Sequence, residues 1–165
     1  MKSITRKFAA ALVLAAFGGP SAVLAKDKPV MDLELAKKVA DAAAAEAKRL
    51  NAGGAIAVVD DGGHLVYLVR LDGTFPAAAS VSIGKARTAA TFQRPTSVFE
   101  DAIKGGRISL TAVSEMVPLQ GGIPITVGGQ VVGAVGVSGA ASAQQDEDIA
   151  KVAAAAMEMQ VGGRK

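Results

Sequence analysis

The spacing of apolar residues along the chain predicts four helices. Apolar residues recur every three or four positions, the period of one helix face, in the segments 32–50, 77–93, 97–104 and 142–159. Asp32 and Thr96 stand at the starts of the first and third helices, and both are residue types that cap helix N-termini. Glycines follow the first and third segments and Pro95 follows the second, so each of these three helices has a predicted end.

Shorter runs rich in β-branched residues predict five strands, at 55–59, 64–71, 116–120, 123–127 and 130–137. The Asp-Asp-Gly-Gly turn at 60–63 joins the first two into a hairpin, and a Gly-Gly turn at 128–129 joins the last two. Pro124 suits an edge strand. Residues 107–115 follow neither period. Two hairpins flanked by helices predict an α+β domain whose antiparallel sheet is covered by helices on one face.

The first 25 residues have the three parts of a secretory signal. The segment begins with basic residues only, continues with the apolar run 8–17, and ends with small residues at Val23 and Ala25. The apolar run is too short for a bilayer span, which needs about 20 residues. An uncleaved anchor or a buried helix is the alternative. We expect cleavage after Ala25, export to the periplasm or the cell exterior, and a single mature domain of residues 26–165.

Charge and composition narrow the classes of function. The chain has 18 Lys+Arg and 15 Asp+Glu, and residues 1–25 hold three of the basic residues and no acidic one, so the mature chain would be formally neutral. A neutral chain lacks the basic footprint of a nucleic-acid-binding protein and the polybasic patch that holds a protein on a membrane. Cys is absent, which excludes disulfides, thiolate metal sites and covalent c-type haem attachment.

A few polar residues are candidates for binding. His64 is the single histidine, and its imidazole could ligate iron or haem, or it could be a partly exposed side chain at a hairpin end. Arg70 could reach a ligand carboxylate from the sheet or face water. Lys85 lies in a predicted helix of small residues, where it could also bind a ligand carboxylate or lie on a solvated face. Neither G-x-S-x-G nor H-E-x-x-H occurs, so the sequence lacks these hydrolase patterns.

Several short strings, taken in order, resemble one family. They are VVDDGGHLV at 58–66, RLDG at 70–73, KARTA at 85–89, GGIPI at 121–125, GAVGVSG at 133–139 and QDE at 145–147. The set resembles the GlcG/HbpS family of haem-degrading or haem-binding domains, which also forms the C-terminal domain of PduO-type corrinoid adenosyltransferases. The resemblance covers about residues 32–158, which is nearly all of the mature chain.

The resemblance implies a profilin-like α+β sandwich, with a five-stranded antiparallel sheet and flanking helices. It also implies a homo-oligomer, and haem binding as in some members of the family. The sequence departs from the family at 107–115, where relatives vary in length. We expect that loop to shape the pocket.

From these features we expect an exported, non-catalytic protein that binds haem, another tetrapyrrole or iron. The apolar cleft would lie between the sheet and the second predicted helix. His64 is the expected axial ligand of the iron, with Tyr67 or Met116 as weaker alternatives. Arg70 and Lys85 are the expected partners of the haem propionates, because cations pair with carboxylates.

Two other classes of function remain open. One is an enzyme or accessory protein that acts on a small oxidised carboxylic acid, with Arg70 and Lys85 binding its carboxylate. The other is an oligomeric interaction module whose partner is a second protein. A visible absorbance scan of the mature protein with haem distinguishes these classes from a haem-binding protein.

Overall fold

The computed structural model describes residues 29–162, with side chains as far as Met157. The helices are α1 (Leu33–Arg49), α2 (Ala78–Phe92), α3 (Ser97–Lys104) and α4 (Ala143–Gly162). The strands are β1 (Ala55–Asp60), β2 (Leu65–Arg70), β3 (Gly122–Val127) and β4 (Gln130–Ser138). A short 3-10 helix, Ile108–Ala112, lies in the stretch that follows neither period. The predicted signal peptide, residues 1–25, lies outside the described residues.

The strands form one antiparallel sheet in the order β2-β1-β4-β3, which confirms the α+β class and the antiparallel pairing. The five-stranded prediction is wrong, because the described sheet has four strands and the segment 116–120 is irregular. Two amides of this segment bond to side chains. Val117 N donates to Thr88 Oγ1 at 2.8 Å, and Gln120 N donates to Glu100 Oε2 at 2.6 Å. The segment is therefore held against α2 and α3 and adds no strand to the sheet.

Helices cover both faces of the sheet, so the prediction of one covered face is wrong. The side chains of Ile56 and Val58 pack with α1 and α4, whereas those of Ala57 and Val59 pack with α2. These four residues of β1 are fully buried. A strand buried on both faces is a continuous apolar run, and this run does not alternate with polar residues.

Helix α2 lies so close to β1 and β4 that no cleft separates it from this part of the sheet. A Cβ atom on Gly136 of β4 would collide with the carbonyl oxygen of Ser82 and would lie 2.6 Å from the amide nitrogen of Ala86. The facing residues are small on both sides, Ala57 and Ala134 on the sheet and Ala86 and Ala89 on the helix. Small side chains let the two backbones approach until the space is filled. The predicted apolar cleft is therefore absent where α2 covers β1 and β4.

One predicted helix cap is confirmed and the other is not. Asp32 accepts a hydrogen bond from Leu35 N at 2.8 Å, as an N-cap residue does. Thr96 makes no side-chain cap bond. Its hydroxyl oxygen instead accepts from Gly122 N at 2.8 Å, and its amide donates to Gly122 O at 3.0 Å. Thr96 thus joins the start of α3 to the start of β3.

Candidate functional site

The β1–β2 turn holds His64 in a fixed arrangement with Asp60. Asp60 Oδ1 accepts from Gly62 N at 2.9 Å and from His64 N at 2.8 Å, which is the turn chemistry expected of an aspartate beside glycines. Gly63 has φ +82, a left-handed conformation that glycine adopts without strain. The ring atom His64 Nδ1 lies 3.2 Å from both carboxylate oxygens of Asp60.

The carboxylate of Asp60 determines which ring nitrogen of His64 can coordinate a metal ion. An ionised carboxylate can only accept hydrogen bonds, so the bond requires the proton of the neutral imidazole to be on Nδ1. The lone pair is then on Nε2, and the side chain of His64 is 82% exposed. Carboxylate-held imidazoles of this kind are the usual metal-ligating form of histidine. His64 is therefore oriented at the surface with the lone pair of Nε2 available to a metal ion.

A surface groove of about 580 Å³ lies beside this histidine. Its lining comes from the β1–β2 turn, from the C-terminal half of α2 and from the segment after the 3-10 helix. The lining residues are Gly62, Gly63, His64, Arg87, Thr91, Phe92 and Glu115. The groove brings together one imidazole, one guanidinium, one carboxylate and one aromatic ring.

Arg87 is the cation of the groove. Its Nε donates to Gly63 O at 3.4 Å, which joins α2 to the β1–β2 turn. Its Nη1 lies 3.7 Å from Glu115 Oε2, and the two side chains are 44% and 76% exposed. The guanidinium is thus accessible to a ligand from the groove.

Phe92 supplies an apolar wall at the end of α2. It is 38% exposed although it is a large aromatic residue. Its ring packs edge to face on Phe99 of α3, with centroids 5.2 Å apart and planes at 66°. Phe99 is buried, so the contact holds one side of the Phe92 ring against the protein and leaves the rest exposed.

The structure does not bring the five sequence-predicted site residues together. His64 lines the groove, whereas Arg70 is at the other end of β2, roughly 20 Å away at about 3.3 Å per residue. Tyr67 packs against the core cluster of α1 and α4, on the opposite face of the sheet from α2. Met116 is buried beside Glu115 but does not line the groove.

Lys85 is enclosed in the interior. It is 3% exposed, and its Nζ donates to Asp146 Oδ2 and to Val137 O, both at 2.9 Å. A Cβ atom on Gly121 would lie 3.0 Å from this Nζ, so the glycine leaves room for the ammonium group. The ammonium therefore stabilises the junction of α2, β4 and α4, away from the groove.

Arg87 and Glu115 are not among the five site residues predicted from the sequence. The helical period could have indicated Arg87. Positions 84, 87, 88 and 91 share one face of α2, and Arg87 is the charged residue on that face. That face is turned away from the sheet and carries Gly84, Arg87, Thr88 and Thr91. Glu115 is the last residue of the loop 107–115 that was expected to shape the pocket, but no local pattern places it beside Arg87, since that contact depends on the irregular segment that crosses α2.

A second groove, of about 610 Å³, lies at the Arg70 end of the molecule, between the C-terminus of α1 and Leu71–Asp72. Its charged lining residues are Lys48 and Asp72, and neither an aromatic ring nor an imidazole is among the residues that line it. The groove beside His64 has the more varied chemistry, so it is the candidate site.

The described part of the chain contains no group of three or more His, Cys, Asp or Glu residues that could hold a metal ion together. A metal bound at the groove would therefore have at most two such protein ligands among the described residues. Within the same residues, no helix is long and apolar enough to cross a membrane.

Fold and groove together describe an α+β sandwich with one preorganised imidazole at its surface. Residues 31–155 match the model of the family described as haem degrading protein HbpS-like. The chain therefore belongs to this family, which confirms the resemblance noted in the sequence. Protein GlcG of Escherichia coli K12 is 42% identical over 113 residues, which cover 68% of this chain and 84% of GlcG.

Solved structures agree with this assignment. A double mutant of HbpS from Streptomyces reticuli superposes with a TM-score of 0.73 at 32% identity, covering 90% of this chain and 98% of that one. The PduOC–haem complex has a TM-score of 0.70 at 24% identity, covering 78% of this chain and 95% of that one. At 24% identity, the likeness to the PduOC–haem complex shows that the two chains share a fold.

Proposed function

We propose that this protein is an exported, non-catalytic haem-binding protein, and that the groove beside His64 is its haem site. The observation that carries the proposal is the Asp60–His64 pair. With Nδ1 held at 3.2 Å from both Asp60 oxygens, Nε2 is the nitrogen left for iron. The family's description as haem degrading supports the same ligand class.

The other residues of the groove suit the remaining parts of haem. Phe92 offers an exposed ring to the apolar face of a porphyrin. Arg87 offers a guanidinium to a propionate, because arginine binds carboxylates through parallel hydrogen bonds. Bound haem would supply an iron centre, and the chain's own residues would bind it, orient it and set the basicity of the iron ligand through Asp60. In this proposal Arg87 binds the propionate, whereas Arg70 and Lys85 were the residues expected from the sequence to do so.

The test is a haem titration followed by visible absorbance, with the mature wild-type protein and two variants. We expect the wild type to give a saturable Soret band. His64→Ala should shift the band and weaken binding, since it removes the nitrogen donor. Arg70→Ala is the matched control, because it removes a charged side chain at the far end of β2 and should leave the band and the affinity unchanged. A wild-type protein that gives no saturable band would contradict the proposal.

Binding of a small carboxylic acid is the second candidate function. The observation that favours it is the presence of Arg87 and an Asp60-held imidazole in one groove, which together could bind a carboxylate and accept a proton. Calorimetric titration with a small oxo-acid distinguishes the two candidates. Saturable heat with the acid, together with no Soret band on adding haem, would favour the acid.

A further inference from the structure

Arg87 and Glu115 both line the groove and form an ion pair there. Among the described residues of the lining, it is the only pair between two formally charged side chains. The distance from Nη1 to Oε2 is 3.7 Å, and the Arg87 and Glu115 side chains are 44% and 76% exposed. An exposed pair of this length is weak, because water screens it and two long side chains must be ordered to form it. An incoming carboxylate could therefore replace Glu115 at Arg87 with little loss.

The position of Glu115 is nevertheless fixed by the fold. Two residues later, Val117 N donates to the buried hydroxyl oxygen of Thr88 at 2.8 Å. The Val117 side chain fills the space over Gly84, where an added Cβ atom would collide with it. These two contacts hold the segment across α2. The backbone of Glu115 is thus kept at the rim of the groove, and from there its carboxylate reaches Arg87.

Arg87 is also held in place from its other side. Its Nε bonds to Gly63 O, and its Cγ lies where a Cβ atom on Gly63 would be only 2.9 Å away. The side-chain stem therefore packs against the β1–β2 turn. The outer edge of the guanidinium remains for Glu115 or for a ligand.

We propose that Glu115 is a built-in competitor for Arg87, which a carboxylate of the ligand displaces on binding. This inference rests on the proposed haem site and specifies its ligand class: a planar apolar molecule that carries at least one free carboxylate. A ligand without a carboxylate gains nothing from Arg87, because it leaves the Arg87–Glu115 pair intact. Arg87 thereby favours acidic ligands over their neutral esters, and Glu115 weakens that preference because it competes for the same guanidinium.

The test compares haem with haem whose propionates are methyl esters, in wild-type protein and Glu115→Gln. We expect Glu115→Gln to bind haem about two- to fivefold more tightly, the range that an exposed ion pair contributes, and to bind the diester as the wild type does. When Arg87 is already replaced by Gln, adding Glu115→Gln should not change the haem affinity, because the guanidinium for which Glu115 competes is gone. Asp41→Asn on α1 is the matched control, because it removes one negative charge outside the groove.

Three results would overturn the inference. One is an unchanged haem affinity in Glu115→Gln, a second is equal tightening for the diester, and a third is tightening that persists in Arg87→Gln. A second readout decides the inference even if haem does not bind. In a titration with benzoate, the NMR signal of Arg87 Nε should shift at lower benzoate concentration in Glu115→Gln than in the wild type. An Arg87 signal that does not respond in either protein contradicts the inference, whereas the absence of a Soret band contradicts only the haem site.

Discussion

Lys85 on α2 and Asp146 on α4 form a buried ion pair, with Nζ and Oδ2 2.9 Å apart and side chains 4% and 8% exposed. The two residues are separated by 61 positions in the sequence. Asp146 Oδ1 also accepts from Ala140 N at 2.9 Å, so both carboxylate oxygens are bonded. The pair joins helices from opposite faces of the sheet at the end of β4.

Breaking this pair should be costly. We expect Lys85→Met or Asp146→Asn to lower the free energy of unfolding by about 3–5 kcal/mol, because each leaves one buried polar or charged group without its partner. The double variant should cost clearly less than the sum of the two single ones. Urea denaturation measures this. Lys38→Met, which breaks the exposed pair with Glu34, is the control and should cost less than about 1 kcal/mol. Additive single effects would contradict the pairing.

The close approach of α2 to the sheet predicts that Gly136 cannot accept a side chain. We expect Gly136→Ala to destabilise the fold by about 1–3 kcal/mol or more, because the added methyl group meets the backbone of Ser82 and Ala86 and neither can move easily. Thermal unfolding measures the change. Gly105→Ala is the control, since a Cβ atom there meets its nearest neighbour at 3.3 Å. Equal effects of the two substitutions would contradict the packing described for α2.

Glu100 should make stability depend on pH in the acid range. Burial raises the pKa of Glu100, but hydrogen bonds from Lys104 and from the Gln120 amide lower it more, so the pKa is below the ordinary value of 4.5. A group with a lowered pKa in the folded state stabilises the fold above its unfolded pKa and loses that contribution as the pH falls. We therefore expect the difference in unfolding free energy between wild type and Glu100→Gln to shrink as the pH falls below 4.5. A difference that stays constant would contradict this.

The N-terminal segment leads us to expect a mature protein that begins at Lys26. The reason is the basic start, the short apolar run and the small residues at Val23 and Ala25. Mass spectrometry of the exported protein measures the N-terminus. Ala25→Phe is the matched variant, and it should accumulate as the precursor because the cleavage site needs a small residue. Recovery of intact Met1 in the extracytoplasmic fraction would refute the expectation.

We expect the mature protein to be a homo-oligomer. It would be formally neutral, so little net charge opposes association. Large apolar side chains are also exposed on the single chain, among them Phe75 at 53% and Ile108 at 70%. Light scattering at micromolar concentration measures the mass. A monomer mass under those conditions would contradict the prediction.

The sequence by itself determined most of the elements and the turn that carries His64. Helix and strand periods placed four helices and the four observed strands, because the period of apolar residues depends only on the local geometry of each element. Asp60 and His64 are four positions apart, so their contact follows from local turn chemistry. A reader of the sequence could therefore locate this histidine at a hairpin end, but not the face of the protein to which the hairpin end belongs.

Only the tertiary structure decided the partners of Lys85, Arg87 and Thr96. Lys85 meets Asp146, Arg87 meets Glu115 and Thr96 meets Gly122, and each pair joins segments that are far apart in the chain. Such contacts depend on which faces of the elements pack together, and small side chains let α2 close onto the sheet. The buried position of Lys85 and the exposed position of Arg87 follow from that packing. For this reason the sequence indicated a cation for the site but not which one.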